Sequence, residues 1–350
     1  MSNENQQQST VQVGVIGYGF MGRTHVSAYQ RAQRDGYACK LFGVADSGLQ
    51  SLSQSVHTQG NISANDQKQD LADVQFFQDA QELIAHPEID LISICTHTDT
   101  HVDLAIQALN AGKHVLVEKP VALDPASVER LSAVSNASGL VCVPAMCMRF
   151  WPAWERVREL IHSKAFGPVR SAAFHRLGCR PNWSTGFYED QARSGGVLYD
   201  LQIHDTDFIV NCFGIPDEVM TMGDGMHLST LYRYSDKPVH VLAHAAWDHQ
   251  PSVGFQMKCT IVFEDALIDF DINRESQLMS YQGDDATPIE LNDLSGYDGE
   301  VRYVLDRITS NIDPKITSIN DAVIVADVLE AQNQSLTTKS PVAPLKGRSL

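Results

Sequence analysis

The stretch Val13-Gly-Val-Ile-Gly17-Tyr-Gly19-Phe-Met-Gly22-Arg23-Thr-His25 runs from an apolar strand, Val13 to Ile16, into the spacing G-x-G-x-x-G and then into a helix. Each glycine has a task in such a turn. Gly17 makes the tight bend, Gly19 lets the backbone approach a pyrophosphate, and Gly22 lets helix and strand pack closely. The helix start, with Phe20 and Met21, offers free N–H groups and partial positive charge to phosphates. Ordinary strand-to-helix turns share this short pattern, so its meaning depends on what surrounds it.

A helix expected through Ala28 leads to a second strand, Cys39 to Ala45, which ends on Asp46. An acidic residue here, 24 positions beyond Gly22, is placed to accept hydrogen bonds from adenosine ribose hydroxyls and to repel a 2'-phosphate. The same Asp could instead cap the next helix, since Ser47-Gly48 follows. NAD is favoured over NADP, with Arg23 the one neighbour arguing for a phosphate. Residues 57 to 70 are polar and aperiodic, a long surface loop. The rhythm then resumes with strands at Val74–Phe77, Asp90–Cys95 and His114–Val117 and helices at Ala80–Ala85 and Thr100–Ala111. A helix at Pro125–Ala137 and a strand at Leu140–Met146 follow. Strands alternating with helices predict a parallel, doubly wound sheet, the context in which the glycine turn holds a dinucleotide.

Open parallel sheets bind ligands beyond the carboxyl ends of their strands. Two such ends stand out: Cys95-Thr96-His97-Thr98-Asp99-Thr100-His101 and Val117-Glu118-Lys119-Pro120. His97 and His101 stand four apart, but no third ligand is spaced nearby, so no metal is expected and a cofactor-lining role is preferred. Glu118-Lys119 is a charged pair directly after a buried strand. A Lys there can bind a substrate oxygen and assist proton transfer, and the Lys119-Pro120 bond is expected to be cis.

From Met146 the pattern changes. After a helix to about Lys164, strand-like runs at Val169–Arg176, Leu228–Tyr234, Val239–Trp247, Gly254–Phe263, Ala266–Ile272 and Leu278–Gln282 alternate in polarity, predicting a mostly antiparallel sheet covered on one face. Helices are expected at Tyr297–Ile308 and Ile319–Gln334. One helix, Gly195 to Phe208, interrupts the strands and carries Asp200 and His204 four apart on one face, where a His can move a proton near neutral pH. Trp183 and Tyr199 could line a sugar pocket or simply pack.

The whole composition agrees with two domains: 350 residues, 43% hydrophobic and 20% charged. A tail at 1–10, expected to be disordered, precedes a dinucleotide-binding domain at 11–146 and a substrate and oligomerisation domain at 147–350. With 26 basic against 43 acidic residues, the net charge of -17 argues against nucleic acid or an anionic membrane as partner. No apolar run reaches the ~20 residues of a membrane span, and residues 1–10 lack the parts of a signal peptide. Seven cysteines with no C-x-x-C pair suit a reducing cytoplasm.

Taken in order, these elements resemble the glucose-fructose oxidoreductase and inositol dehydrogenase (Gfo/Idh/MocA-like) superfamily. They are the glycine turn with Arg-Thr-His, Thr96 with His101, Glu118-Lys119-Pro120, Arg149-Phe with Pro152, and Gly195-Gly196-x3-Asp200-x3-His204. The resemblance runs from Val13 to about Pro344. It implies a Rossmann domain followed by an α+β domain whose large open sheet forms a homodimer or homotetramer interface. It also implies an NAD(P)-dependent oxidation of a secondary alcohol on a sugar or polyol. Lys119 would sit beside the nicotinamide, His204 would be the acid/base, Asp200 would bind the sugar, and Arg149 would meet cofactor or substrate. Many relatives carry Pro after the strand-end Thr, where this chain has His97. Two rivals are an NAD-dependent glycosidase acting by transient oxidation and elimination, and a dinucleotide-binding sensor without turnover.

Overall fold

A computed structural model of the chain describes residues 10–48, 69–182, 184, 186–236, 238–310 and 316–345. The expected disordered tail save residue 10, the expected loop 57–70 save its last two residues, and Trp183 lie outside the described residues.

The first half builds strands β1 (Val11–Ile16), β2 (Cys39–Ala45), β3 (Gln75–Phe77), β4 (Leu91–Ile94), β5 (His114–Val117) and β6 (Cys142–Pro144). They form one parallel sheet in the order β3-β2-β1-β4-β5-β6. The order reverses between β1 and β4, and the crevice at such a reversal is where open sheets bind ligands. Helices α1 (Phe20–Arg34), α2 (Ala80–Ala85), α3 (Thr98–Asn110) and α4 (Pro125–Ser138) are the crossovers. Helix α1 runs past the expected end at Ala28 because Val26, Tyr29 and Ala32 continue one buried stripe at spacing three. Helix α4 starts where the sequence predicts: Asp124 accepts a hydrogen bond from the Ser127 amide at 2.8 Å, and Pro125 fills the first turn.

The second half builds β7 (Val169–Leu177), β8 (Glu218–Gly223), β9 (His227–Arg233), β10 (His240–Ala246), β11 (Gln256–Phe263), β12 (Leu267–Asp271), β13 (Leu278–Gln282) and β14 (Asp285–Pro288). They form one sheet ordered β14-β13-β12-β11-β7-β10-β9-β8, antiparallel except where β7 and β10 run parallel. Sequence reasoning does not find β8 or β14. β14 is exposed along its length, and β8 turns only Val219 and Thr221 inward, so neither shows a clear apolar alternation.

Helices α5 (Pro152–Ser163), α6 (Gln191–Ser194), α7 (Ile203–Phe213), α8 (Gly296–Ser310) and α9 (Ile319–Thr338) complete the chain. Trp154 of α5 meets Phe208 of α7 edge-on at 4.6 Å and stacks near Phe174 of β7 at 5.8 Å, which seats both helices on the same sheet face. The helix expected from Gly195 to Phe208 forms, continuous from 196 to 213 but widened within by a π-helical turn, and a short helix, α6, precedes it. Helix α6 ends at Gly195 in the left-handed region (φ 72°), and a π-helical turn, Leu198–Gln202, precedes α7. Such wide turns recur at functional sites, and this one carries Asp200. Helix α8 joins the two halves: its Asp298 pairs with Arg31 of α1 at 3.2 Å.

Candidate active site

The glycine turn forms a cradle. A Cβ on Gly17 (φ 87°) would stand 2.7 Å from the Cys95 carbonyl oxygen, and one on Gly22 would stand 1.8 Å from the Gly17 oxygen, so strand, turn and helix close together only without side chains. No neighbouring atom lies within 4 Å of a Cβ placed on Gly19. The open space over Gly19, at a helix start, fits a pyrophosphate. Asp46 borders this cavity with Gly17, Gly19, Thr96 and Thr100. Its carboxylate accepts from the Tyr18 amide at 2.7 Å and from the Gly48 amide at 2.8 Å, so it braces the turn as well as facing the cavity. Arg23 lies over the Tyr18 ring at 4.5 Å and is not among the residues lining the cavity.

A second cleft of about 270 Å³ adjoins the first, sharing Gly19, Cys95, Thr96 and His97 with it. Phe20 and Met21 of α1 line this second cleft, as do Glu118 and Lys119 at the end of β5. The Lys119-Pro120 bond is cis. Lys119 Nζ donates to Asp200 Oδ1 at 3.0 Å and to the Asp200 carbonyl oxygen at 2.7 Å, linking a Rossmann strand end to the π-helical turn. Glu118 turns away from this pair. It meets His25 Nε2 at 3.0 Å, and Glu300 of α8 meets the same nitrogen at 3.4 Å. Burial opposes a charge on His25, but the Cys95 sulfur and the two carboxylates raise its pKa well above the ordinary value. Burial likewise pushes the Glu300 carboxyl up to about 7, although His25 pulls it down. This cluster underlies the glycine turn and ties α1, β5 and α8 together.

His204 opens α7 and lines the same cleft as Lys119 and Asp200. Burial, then the positive charges of Lys119 and Arg176, hold its imidazole well below the usual histidine range. Its Nδ1 lies 3.9 Å from Cys147 Sγ. Burial raises the Cys147 thiol well above its ordinary pKa, so the neighbour of His204 is a neutral thiol. The expected shared face of Asp200 and His204 is present in that both line one cleft, but the hydrogen-bond partner of the Asp200 side chain is Lys119. A neutral imidazole beside an ammonium, with a carboxylate one contact away, is an arrangement able to take a proton from an alcohol whose oxygen is held by the ammonium.

Several expected roles change. Arg149 does not reach the cleft: it is 1% exposed, its Nε and Nη2 bind Asp207 at 2.7–3.1 Å, and its Nη1 donates to the Ile316 carbonyl at 2.8 Å. The cause is Asp207, which the α7 spacing turns inward, so Arg149 joins the 3₁₀ turn Cys147–Phe150, α7 and the segment before α9. His101 borders the cleft, but its ring nitrogens lie 2.9 Å from the Pro120 oxygen and 3.0 Å from the Thr96 oxygen, so it braces two strand ends against each other. Thr96 is held through its hydroxyl, 2.7 Å from that of Thr100. His97 stacks on Phe187 at 4.3 Å and meets the Ser184 hydroxyl at 3.0 Å.

Sequence reasoning misses Arg176, Cys147, Phe187, Phe255 and Tyr297, all of which line the cleft. Arg176 alone carried a signal. It follows Ala172 and Phe174 on the inward face of β7, where an Arg breaks the apolar alternation.

Residues 11–145 match the family model described as "Oxidoreductase family, NAD-binding Rossmann fold", and residues 154–274 match the GFO/IDH/MocA C-terminal domain, together well over half of the chain. The uncharacterized oxidoreductase YhhX of Escherichia coli (strain K12) is 34% identical over 148 residues, which cover 42% of this chain and 41% of that protein. Myo-inositol 2-dehydrogenase of Thermotoga maritima is 26% identical over 198 residues, 56% of this chain and 53% of that protein. The chain thus spans about half the length of the curated relatives it matches. Levoglucosan dehydrogenase, solved in complex with NADH and levoglucosan, shares the fold with a TM-score of 0.81 at 19% identity, over 96% of this chain and 100% of that chain.

Proposed function

Because the chain belongs to the Gfo/Idh/MocA oxidoreductase family, we propose that it is an NAD-dependent dehydrogenase of a secondary alcohol on a sugar, cyclitol or sugar derivative. The observation that carries this reading is the meeting of Lys119, Asp200 and His204 in a cleft continuous with the Gly19 cradle. The relatives named as inositol and levoglucosan dehydrogenases support the substrate class.

Gly17, Gly19, Phe20, Met21 and Gly22 would hold the cofactor phosphates, with Asp46 toward the adenosine ribose. Asp46 supports NAD over NADP, since a carboxylate repels a 2'-phosphate. The bound nicotinamide supplies the hydride chemistry. His204 accepts the hydroxyl proton at an imidazole nitrogen, for which its neutral state prepares it. Lys119 Nζ donates to the same oxygen and stabilises its developing negative charge. Asp200 fixes the ammonium in place and retains an oxygen lone pair for a neighbouring substrate hydroxyl. The aromatic walls, with Trp151, Tyr188 and Tyr297 among the lining residues, exclude water and offer flat faces to a sugar ring.

The outer face of the second sheet carries Met222 and Leu231, both exposed, and continues across His244, His175 and Lys258 by strand register. A second copy of this chain would cover it in a homodimer or homotetramer, and sedimentation at several concentrations tests that. The seven free cysteines agree with a reducing cytoplasm. No helix among the described residues is long and apolar enough to cross a membrane.

The test of activity is a panel of sugars, inositols and nucleotide sugars with NAD and NADP, following reduced cofactor and cleaved product together. NADH formation supports the dehydrogenase. Cleaved product without NADH would identify the glycosidase instead, and silence across the panel would favour a sensor.

A further inference from the structure

Arg176 is 2% exposed yet lines the cleft. Its guanidinium is fixed on two sides. Nε and Nη2 bind the two oxygens of Asp205 at 3.1 and 2.7 Å, and the group lies 5.6 Å from the Trp154 ring. The third nitrogen differs: among the described residues its one hydrogen-bond partner is Met257 Sδ, 2.9 Å away on the neighbouring strand. A thioether is a weak acceptor, so a buried cationic donor of this cleft-lining side chain is left nearly unspent.

We infer that Arg176 is the second anchor of the substrate, its Nη1 donating to a neutral hydroxyl of the sugar or polyol away from the carbon addressed by Lys119 and His204. This rests on the dehydrogenase reading of the cleft. Asp205, which holds Arg176, is the residue after His204, so the base and the partner of the anchor share one helical turn. The pair Arg176–Asp205 is neutral as a unit. A substrate hydroxyl gains a charge-assisted bond from it, whereas a carboxylate would be brought near the buried Asp205 charge as well. The same balance holds on the facing wall, where Lys119 is already paired with Asp200. The cleft therefore selects uncharged polyols over sugar acids.

The test uses the full chain with NAD, the best substrate of the panel, its monodeoxy analogues and its uronate. Two variants spend or remove the donor. Arg176→Lys keeps the charge for Asp205 but not the fork. Met257→Gln offers Nη1 an internal amide oxygen and leaves Arg176 in place, so a folding defect in the first does not decide the matter. Each variant is expected to raise KM for the parent substrate roughly 10- to 100-fold, the size of a lost charged hydrogen bond, with the loss falling on KM rather than kcat. The analogue lacking the anchored hydroxyl should bind wild type and variants alike. Equal KM in wild type and both variants overturns the inference, as does a uronate preferred over its parent in an Arg176-dependent way. Sugar titrations of the NADH complex, read by cofactor fluorescence, separate the two readings. A response lost in both variants without turnover keeps the anchor and rejects the dehydrogenase, whereas turnover with unchanged sugar affinity keeps the dehydrogenase and rejects the anchor. A complex that responds to no polyol rejects both.

Discussion

Lys119 Nζ stands 3.0 Å from Asp200 Oδ1 and 2.7 Å from the Asp200 carbonyl oxygen, across 81 residues of chain. The contact joins the end of a parallel strand to the π-helical turn before α7, so the proposed proton chemistry exists only when both halves are docked. Replacing Lys119 by Met should lower kcat/KM by about 10²–10⁴-fold. NAD binding, measured by calorimetry, should change little. A Lys119→Met enzyme with wild-type turnover would remove Lys119 from the mechanism.

His204 should titrate on the acid side. Burial and the charges of Lys119 and Arg176 lower its folded-state pKa, so it stays neutral, and able to accept a proton, below the ordinary value of about 6.5. The acid limb of kcat/KM for alcohol oxidation should therefore have its midpoint below pH 6.5, and His204→Asn should abolish turnover. The linked stability has the same sign. The unfolded chain binds this proton more readily than the folded one, so the contribution of His204 is complete above about pH 6.5 and declines as pH falls toward the folded value. An acid limb centred above pH 7 would contradict the assignment.

Arg149 should matter for folding rather than for ligand affinity. Breaking its buried pair with Asp207 by Arg149→Met leaves a carboxylate uncompensated and should cost about 3–5 kcal/mol in urea unfolding. Substrate KM, measured below the unfolding range, should remain near wild type. A raised KM without lost stability would return Arg149 to the binding site.

Asp46→Ser should weaken NAD and improve NADP. Losing charge-assisted bonds to the ribose is expected to raise KM for NAD by about 10-fold or more, and removing the negative charge admits a 2'-phosphate. Because Asp46 also receives the Tyr18 and Gly48 amides, some loss of affinity for both cofactors accompanies the change. The ratio of kcat/KM for the two cofactors is the measurement, and an unchanged ratio would assign Asp46 to the turn alone.

The elements were legible wherever local chemistry dominates. Ala80–Ala85, Cys39–Ala45 and His114–Val117 lie where periodicity puts them, since a helix cap or a buried strand declares itself within a few residues. Lys119 and His204 were legible as chemical types in telling positions. Sequence reasoning expects Arg149 at the ligand and misses Arg176, although both are buried arginines paired with an aspartate of α7. What differs is the third nitrogen, which meets a backbone carbonyl and the Asp321 carboxylate in Arg149 but a thioether in Arg176, whose side chain lines the cleft.

The amino-acid order was enough to establish the glycine cradle, the parallel sheet behind it and the acidic residue that follows β2, because each arises from backbone sterics and hydrogen bonding between near neighbours. Only the tertiary structure decided which partner each charge takes. Asp200 turns to Lys119 rather than to His204, Glu118 to His25, and Asp205 and Asp207 to two arginines. Burial makes an unpaired charge costly, so the pairing follows from which elements meet in the interior, and sequence spacing does not carry that information.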